Sequence, residues 1–268
     1  MSFPELNRYP YFALDTETTG LQYPVDRVFG VSMALPDGRT FYWDTRKSAV
    51  LQWLEYSLRY YKGTVICHHA KFDWLMLRAS ECRVNEELLD CTMVRACLID
   101  EHMQDYSLDT IGPIYTGMHK QTDIYARLAE IFGGPPTRKA QMPNLQHAPM
   151  ELVAGYAEQD ALMALRLWEA QEEEIALQDL RRIVDFERSV LPAICRLNAA
   201  GIRVDLDRTE QAMVDLTPII DAKTAELNEL AGWVINVNSP PQIKKLLSPE
   251  KRDGSWFVGR ELVGTADS

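Results

Sequence analysis

Two carboxylates stand two positions apart near the N-terminus, in the run Asp15-Thr-Glu17. The preceding segment, Tyr11-Phe-Ala-Leu14, has the apolar character of a β-strand. Side chains alternate along a strand, so both carboxylates are predicted to project to the same side, with Cα atoms roughly 7 Å apart. Carboxylates that close repel and raise each other's pKa, and a divalent cation between them removes that cost. The pair is a candidate metal site, although a polar turn after a strand is the more common explanation of such a pair alone.

Three further side chains could join this chemistry. Tyr156 and Asp160 lie four residues apart on a predicted helix and therefore share one face, which by itself is also ordinary for a helix surface. Asp73 ends the run His68-His69-Ala-Lys-Phe-Asp73, which joins a predicted strand to a helix, where an aspartate is also a common cap. Neighbouring histidines on a strand face opposite ways, and no Cys or His pair is spaced to complete a tetrahedral site, so zinc is not predicted.

The secondary-structure elements that position these residues are predicted to be, in order, three strands, a helix, a strand and then helices. The predicted strands are 11–14, 28–35, 40–43 and 64–68, with a Pro-Asp-Gly turn at 36–38. Helical spacing of apolar residues predicts helices at 48–61, 92–100, 107–116, 123–132, from about 150 past 168, and from about 205 to 230. Residues 133–149 are rich in Pro, Gly and polar residues and are predicted to be a surface loop. The order predicts an α/β fold, a mixed sheet flanked by helices.

Taken together, the ordered carboxylates and the tyrosine resemble the DnaQ-like (DEDD) 3′→5′ exonucleases of the tyrosine branch, whose fold is ribonuclease-H-like. The flanking runs are similar to the proofreading domain of family A DNA polymerases. They are Leu98-Ile-Asp-Glu101, Ser107-Leu-Asp-Thr-Ile111 and Glu151-Leu-Val-Ala-Gly-Tyr-Ala-Glu-Gln-Asp160. The later runs that begin at Phe186 and Ile235 resemble the segments that lead into the polymerase thumb. The resemblance covers about residues 9–247 and implies an exonuclease domain at 1–178 and an all-helical, thumb-like extension at 179–268.

The resemblance implies the roles of the site residues. Asp15, Glu17, Asp73 and Asp160 are expected to hold two divalent cations, Mg²⁺ or Mn²⁺, with Asp15 bound to both, and Tyr156 is expected to position the attacking water. Such a pair of ions activates water and stabilises charge during phosphodiester hydrolysis. Because magnesium keeps several waters, the complete site is expected only with substrate present. The residues expected to contact the single-stranded 3′ end are Thr18, Leu21, His69 and Lys71. Arg138 and Lys139 are further candidates for contact with a phosphate.

Two departures from the family pattern matter. His69 stands where the family usually has asparagine, so the terminal nucleotide is expected to be held differently. The polymerase's palm and fingers have no counterpart in these 268 residues, so polymerase activity is not assigned. Two alternatives remain for a proofreading chain of this kind: one part of a polymerase split over two chains, or a relative that trims DNA independently.

Composition limits the other possibilities. No apolar run approaches the roughly 20 residues of a membrane helix, and no secretory signal is apparent, so no membrane partner is expected. Five cysteines at irregular spacing fit a reducing, cytoplasmic location. The net charge of −11 is not typical of a nonspecific nucleic-acid binder. The alternatives to DNA proofreading are an RNA 3′→5′ exonuclease similar to ribonuclease D, and a DNA-end-binding scaffold without catalysis.

Overall fold

One mixed sheet of five strands forms the centre of the first part of the chain. The structure, a computed structural model, describes residues 3–46, 49–119, 123–252, 255–258 and 261–264. The strands are β1 (Tyr11–Thr18), β2 (Val28–Ala34), β3 (Thr40–Asp44), β4 (Thr64–Cys67) and β5 (Leu89–Cys91). They lie in the order β3-β2-β1-β4-β5, with β2 antiparallel to β1 and with β4 parallel to β1 and β5. β1 is therefore the central strand, and its end is where Asp15 and Glu17 lie.

Helices cover both faces of this sheet. They are α1 (Ala49–Tyr60), α2 (Ala70–Ala79), α3 (Thr92–Ile99), α4 (Leu108–Thr116), α5 (Asp123–Phe132), α6 (Arg138–Gln141), α7 (Met150–Leu177) and α8 (Arg181–Ala200). Three 3₁₀ turns accompany them at Leu6–Arg8, Glu86–Leu88 and Met142–His147. The predicted loop at 133–149 therefore contains α6 and a 3₁₀ turn. The mixed sheet with flanking helices that the sequence predicts is confirmed.

The two faces of β1 pack against different helices. Phe12 and Leu14 belong to the large apolar cluster that also contains Val50 and Leu54 of α1 and Leu77 of α2. The intervening Ala13 packs with Ala161, Ala164 and Leu165 of α7 in a separate cluster. Because the alternation continues along the strand, even-numbered positions face α1 and α2, and odd-numbered positions face α7. The carboxylates at positions 15 and 17 are thereby directed to the α7 side.

The first compact unit continues past residue 178, where the exonuclease domain is predicted to end. The unit extends to Gly201 rather than to residue 178. The reason is α8, whose Leu191 and Cys195 are buried in the same cluster as β5 and α2. On this helix, Arg188 donates hydrogen bonds to the carbonyl oxygen of Leu89 (3.3 Å) and to Oγ1 of Thr64 (3.0 Å). These contacts join residues about 100 positions apart, which helical periodicity in the sequence does not reveal.

The second unit begins at Ile202 and contains α9 (Leu206–Ala231), α10 (Pro240–Leu247) and a small antiparallel sheet. Its strands are β6 (Glu250–Arg252), β7 (Ser255–Val258) and β8 (Glu261–Gly264). The prediction of an all-helical extension is therefore wrong at its end, because strands of three and four residues are too short to show a periodic pattern. The likeness of residues 179–268 to a polymerase thumb stays a prediction.

No helix among the described residues is both long enough and apolar enough to cross a membrane. Each of the five cysteines is a free thiol, and four of them, Cys67, Cys82, Cys91 and Cys195, are buried.

Candidate active site

Asp15 and Glu17 lie at the end of β1, on the side that faces α7. Glu17 is buried and pairs with Gly30 of β2, and the register between the two strands shifts immediately afterwards, between Glu17 and Thr18. Such a local irregularity redirects the chain at the end of a strand. It leads into a short loop in which the Asp26 carboxylate accepts hydrogen bonds from Thr19 Oγ1 (3.0 Å) and from the backbone N–H of Gln22 (2.7 Å). The loop is thus held beside the two carboxylates.

Tyr156 and Asp160 come to the same place from α7. Both are 5% exposed and lie one helical turn apart. Burial raises the pKa of the Tyr156 phenol far above its ordinary value, and the charges of Asp160, Glu17 and Asp15 raise it further. The phenol is therefore protonated at neutral pH, where it can donate a hydrogen bond but cannot accept a proton as a base. Its electrostatic neighbours also show that the tyrosine lies among three of the predicted carboxylates.

Asp73 reaches the end of β1 from the other face of the sheet. It lies on α2 and is 3% exposed. Its Oδ1 accepts hydrogen bonds from Thr16 Oγ1 (2.7 Å) and from the Thr16 backbone N–H (3.2 Å). Burial raises the pKa of this carboxyl to about 7, although the two hydrogen bonds from Thr16 lower it. Thr16, between the two carboxylates of the Asp-Thr-Glu run, therefore connects Asp73 to the strand that carries them.

A pocket of about 430 Å³ opens at this point, a volume in the range of ligand-binding clefts. Four of the predicted catalytic residues line it, together with the predicted substrate contacts Thr18 and Leu21. Leu21 is 80% exposed, so an apolar side chain stands at the pocket beside the polar groups. The lining consists of Asp15, Thr16, Glu17, Thr18, Thr19, Gly20, Leu21, Phe72, Arg138, Lys139, Met142, Pro143, Tyr156 and Asp160.

Several of these residues were not predicted. Phe72 directly precedes Asp73 in the motif, and no contact with the substrate was predicted for it. Met142 and Pro143 belong to the segment 133–149, for which the sequence predicts a surface loop. Their proximity to β1 depends on the path of the chain between α5 and α7, and the sequence offers no signal for it.

The predicted substrate contacts His69 and Lys71 do not line this pocket, although the His69 ring stacks on that of Phe72 with centroids 5.9 Å apart. They line a second cavity, which is bounded by Asp90 and Arg95 and by residues of α8 such as Leu191. The helix α2 begins at Ala70, directly after His69, and successive residues on a helix point in directions about 100° apart. Phe72 and Lys71 are therefore directed differently, and in this structure the former lines the candidate site.

The donor groups fit hard divalent cations. The negatively charged groups at the pocket are carboxylates, and within the described part of the chain neither a thiol nor an imidazole lines it. No group of three or more His, Cys, Asp or Glu side chains in the described ranges is arranged as a ready-made metal cluster. Magnesium is commonly held by one or two carboxylates together with water and substrate phosphate, so a complete cluster is not required before substrate binds.

Comparison with known proteins defines the family. Residues 3–176 match the family described as 3′–5′ exonuclease, the exonuclease domain of family A DNA polymerases. The chain belongs to this family, and residues 3–176 are a 3′–5′ exonuclease domain. The family is dependent on divalent metal ions and acts on DNA 3′ ends.

Among its relatives are two phage proteins named DNA polymerase DpoZ. The one from Vibrio phage phiVC8 is 44% identical over 96% of this chain and 42% of its own length, and the one from Salmonella phage PMBT28 is 43% identical over 99% and 43%. DNA polymerase I of Pseudomonas aeruginosa is 26% identical over 91% of this chain and 27% of its own length. The chain thus spans less than half the length of these relatives.

Solved structures with the same fold include the POL domain of Pol1 from M. smegmatis with DNA primer-template and dNTP. It covers 94% of this chain and 40% of its own chain at 19% identity, with a TM-score of 0.63. Brucella melitensis NrnC bound to pGG covers 73% and 88% at 21% identity, with a TM-score of 0.53. The ribonuclease-H-like fold that the resemblance implies is confirmed.

Proposed function

We propose that this chain hydrolyses single nucleotides from the 3′ end of a DNA strand, and that it removes mispaired ends left by a DNA polymerase activity. The observation that carries the proposal is the convergence of Asp15, Glu17, Asp160 and Tyr156 on one pocket at the end of the central strand. The family match and the DNA polymerase relatives support DNA as the substrate.

In the proposed site, Asp15, Glu17, Asp73 and Asp160 hold two divalent cations, Mg²⁺ or Mn²⁺. When bound, these ions supply activation of the attacking water and stabilisation of negative charge on the phosphate. The protonated Tyr156 phenol donates a hydrogen bond within the pocket and orients the attacking water, a role that its raised pKa favours over that of a base. Thr16 holds Asp73 in place through its two hydrogen bonds.

Substrate contacts follow from the chemistry of the lining. The exposed Leu21 offers an apolar surface to the last base, since single-stranded ends bind through contacts of bases with apolar or aromatic groups. Phe72 is a further candidate for this role because it is an aromatic residue of the same pocket. Neither residue reads a base edge, so the proposed activity has little sequence preference.

The source of the 3′ ends is proposed from the relatives. They are named as DNA polymerases, and the similarity continues past residue 176 to cover 96% or more of this chain. We therefore propose that the exonuclease works beside a polymerase active site, and that residues 179–268 correspond to the beginning of a thumb. Whether that active site belongs to the same polypeptide or to a second chain does not alter the chemistry of the pocket.

The test is degradation of a 5′-labelled single-stranded DNA in Mg²⁺ or EDTA, with an RNA of the same sequence in parallel. The wild type is compared with Asp15→Asn, Tyr156→Phe and the surface control Asp185→Asn. We expect a ladder that shortens from the 3′ end with DNA, metal and the wild type or control. Asp15→Asn should abolish the ladder, and Tyr156→Phe should slow it by a factor on the order of 10², as for the loss of one positioned hydrogen-bond donor at an active site.

Three results would contradict the proposal. Faster degradation of the RNA than of the DNA would show that RNA, and not DNA, is the preferred substrate. Unchanged activity in Asp15→Asn would show that the pocket at Asp15 is not the catalytic site. A ladder in EDTA equal to that in Mg²⁺ would exclude the proposed role of the cations.

A further inference from the structure

The basic residues Arg138 and Lys139 line the same pocket as the carboxylates, and both side chains are exposed. Three carboxylates at one site repel a phosphodiester strand, whereas the positively charged side chains of Arg138 and Lys139 attract it. Oδ2 of Asp109, on α4, lies 3.2 Å from Nη1 of Arg138 and gives that side chain a partner on a neighbouring helix. The pocket therefore has a cationic part, which comes from a single segment of the chain.

That segment is closed by a buried amide. Gln141 is 1% exposed, and its Nε2 donates hydrogen bonds to the carbonyl oxygens of Gly133 (2.9 Å) and Pro135 (3.0 Å). Its Oε1 accepts a hydrogen bond from Nδ2 of Asn144 at 2.9 Å. Gly133 and Gly134 have φ angles of 77° and 86°, a conformation that side-chain-bearing residues rarely adopt. Gln141 thus links the two ends of this turn by hydrogen bonds, and Arg138 and Lys139 lie between the two ends in the chain.

The same segment packs against the tyrosine of the site. Leu145 and Ala148 belong to an apolar cluster that contains Tyr156 and Val153 of α7, and Met142 packs against it. The segment is therefore a defined structure attached to the helix that carries Tyr156 and Asp160, and the positions of the cations relative to the carboxylates follow from folding.

We propose that residues 133–147 form a preformed arm that binds the phosphodiester backbone of the strand being degraded, with Arg138 and Lys139 as the phosphate contacts. Gln141 is a positioning residue that holds the arm closed. The ligand is the phosphate backbone rather than a base, so the arm raises affinity for any single-stranded 3′ end. This inference rests on the proposed function, because it takes the pocket to be the place where the strand end is hydrolysed.

The phosphate contacts are tested by the salt dependence of binding. Affinity of the whole chain for a fluorescent single-stranded oligonucleotide is measured in EDTA, where no cleavage is expected, at several salt concentrations. The variants are the double change Arg138→Gln with Lys139→Gln and, as a matched control, Lys62→Gln at a different cavity. The slope of log affinity against log salt is about 0.7 per phosphate contact for single strands, so the double variant should lower it by about 1.4. An unchanged slope would overturn the proposal.

Kinetics in Mg²⁺ test the positioning role of Gln141. The change Gln141→Leu removes three hydrogen bonds at similar volume and should raise KM about tenfold with kcat within about twofold, as expected when a contact made equally before and during the reaction is lost. In the double-variant background, it should raise KM no further. An equal rise in both backgrounds, or a fall in kcat alone, would show a merely structural role.

The two proposals fail in distinguishable ways. A wild type that binds the oligonucleotide with the expected salt slope but leaves it intact in Mg²⁺ would refute the exonuclease and keep the arm. Degradation with equal KM in the wild type and the double variant would refute the arm and keep the exonuclease. Because Arg138 and Lys139 are exposed, the double variant is expected to fold, and the comparison of its KM with that of the wild type remains valid even if Gln141→Leu does not fold.

Discussion

The change Asp73→Asn is expected to make the metal-free protein more stable at alkaline pH while it abolishes exonuclease activity. Asp73 is 3% exposed, and burial raises its pKa from 3.8 to about 7. The carboxyl therefore loses its proton near pH 3.8 in the unfolded chain but near pH 7 in the folded protein. Between these values the folded state binds more protons than the unfolded state, so the free energy of unfolding falls as the pH rises.

The size of the effect follows from the two pKa values. The two pKa values differ by roughly 3, which corresponds to about 4 kcal/mol at about 1.36 kcal/mol per pH unit, and this loss is complete above pH 7. Asparagine has the same shape as aspartate, and its Oδ1 can still accept both hydrogen bonds from Thr16. It has no charge to bury, so the variant should escape the loss. The difference between variant and wild type should grow by about 4 kcal/mol from pH 4 to pH 8.

The assay is urea unfolding in EDTA at pH 4, 6 and 8, with the exposed Asp185→Asn as control, for which a change within about 0.5 kcal/mol is expected. Adding Mg²⁺ at pH 8 should stabilise the wild type, since a ligand that binds only the folded state raises the free energy of unfolding, and should stabilise Asp73→Asn less. Parallel pH curves for the wild type and Asp73→Asn would refute the reasoning, because they would mean that burial does not perturb this carboxyl.

Two further changes test other parts of the fold. Thr16→Val removes the Oγ1 donor to Asp73 and should lower the free energy of unfolding at pH 8 by roughly 1–2 kcal/mol and reduce kcat, whereas equal stability would show that the 2.7 Å hydrogen bond contributes nothing. Arg95→Met breaks a buried pair, in which Arg95 Nη2 lies 2.6 Å from Asp90 Oδ2 and both side chains are 3% exposed. It should cost about 3–5 kcal/mol in urea unfolding, with partial recovery when Asp90→Asn is added. A loss below about 1 kcal/mol would contradict that estimate.

Much of the first unit could be predicted from local patterns. The apolar run before Asp15 and the alternation of a strand correctly indicated that Asp15 and Glu17 share one side, and the structure places both at one pocket. The helical spacing at 150–168 indicated the element that carries Tyr156 and Asp160. These features depend on residues within a few positions of each other, so periodicity reveals them. The strand β5 was missed because three residues are too few to show alternation.

Other features depend on contacts between distant parts of the chain. The alternation along β1 predicts that the Thr16 side chain faces away from those of Asp15 and Glu17. Only the packing of α2 on the sheet brings Asp73 within hydrogen-bonding distance of Thr16. The association of α8 with β5 moves the boundary of the unit to Gly201. The direction of α2 turns Lys71 towards another cavity, which His69 also lines, and brings Phe72 to the pocket.

The residue types and their order thus indicated the candidate site, because the resemblance to the exonuclease family rests on carboxylates and a phenol that stand in short segments of the chain. Only the tertiary structure showed that Arg138, Lys139 and Leu21 line one pocket with the carboxylates, and that Phe72, Met142 and Pro143 join them. The arm at 133–147 is closed by a buried amide and by packing on α7. Its position depends on burial and hydrogen bonding that form only when the whole unit folds, and no local pattern in the chain encodes it.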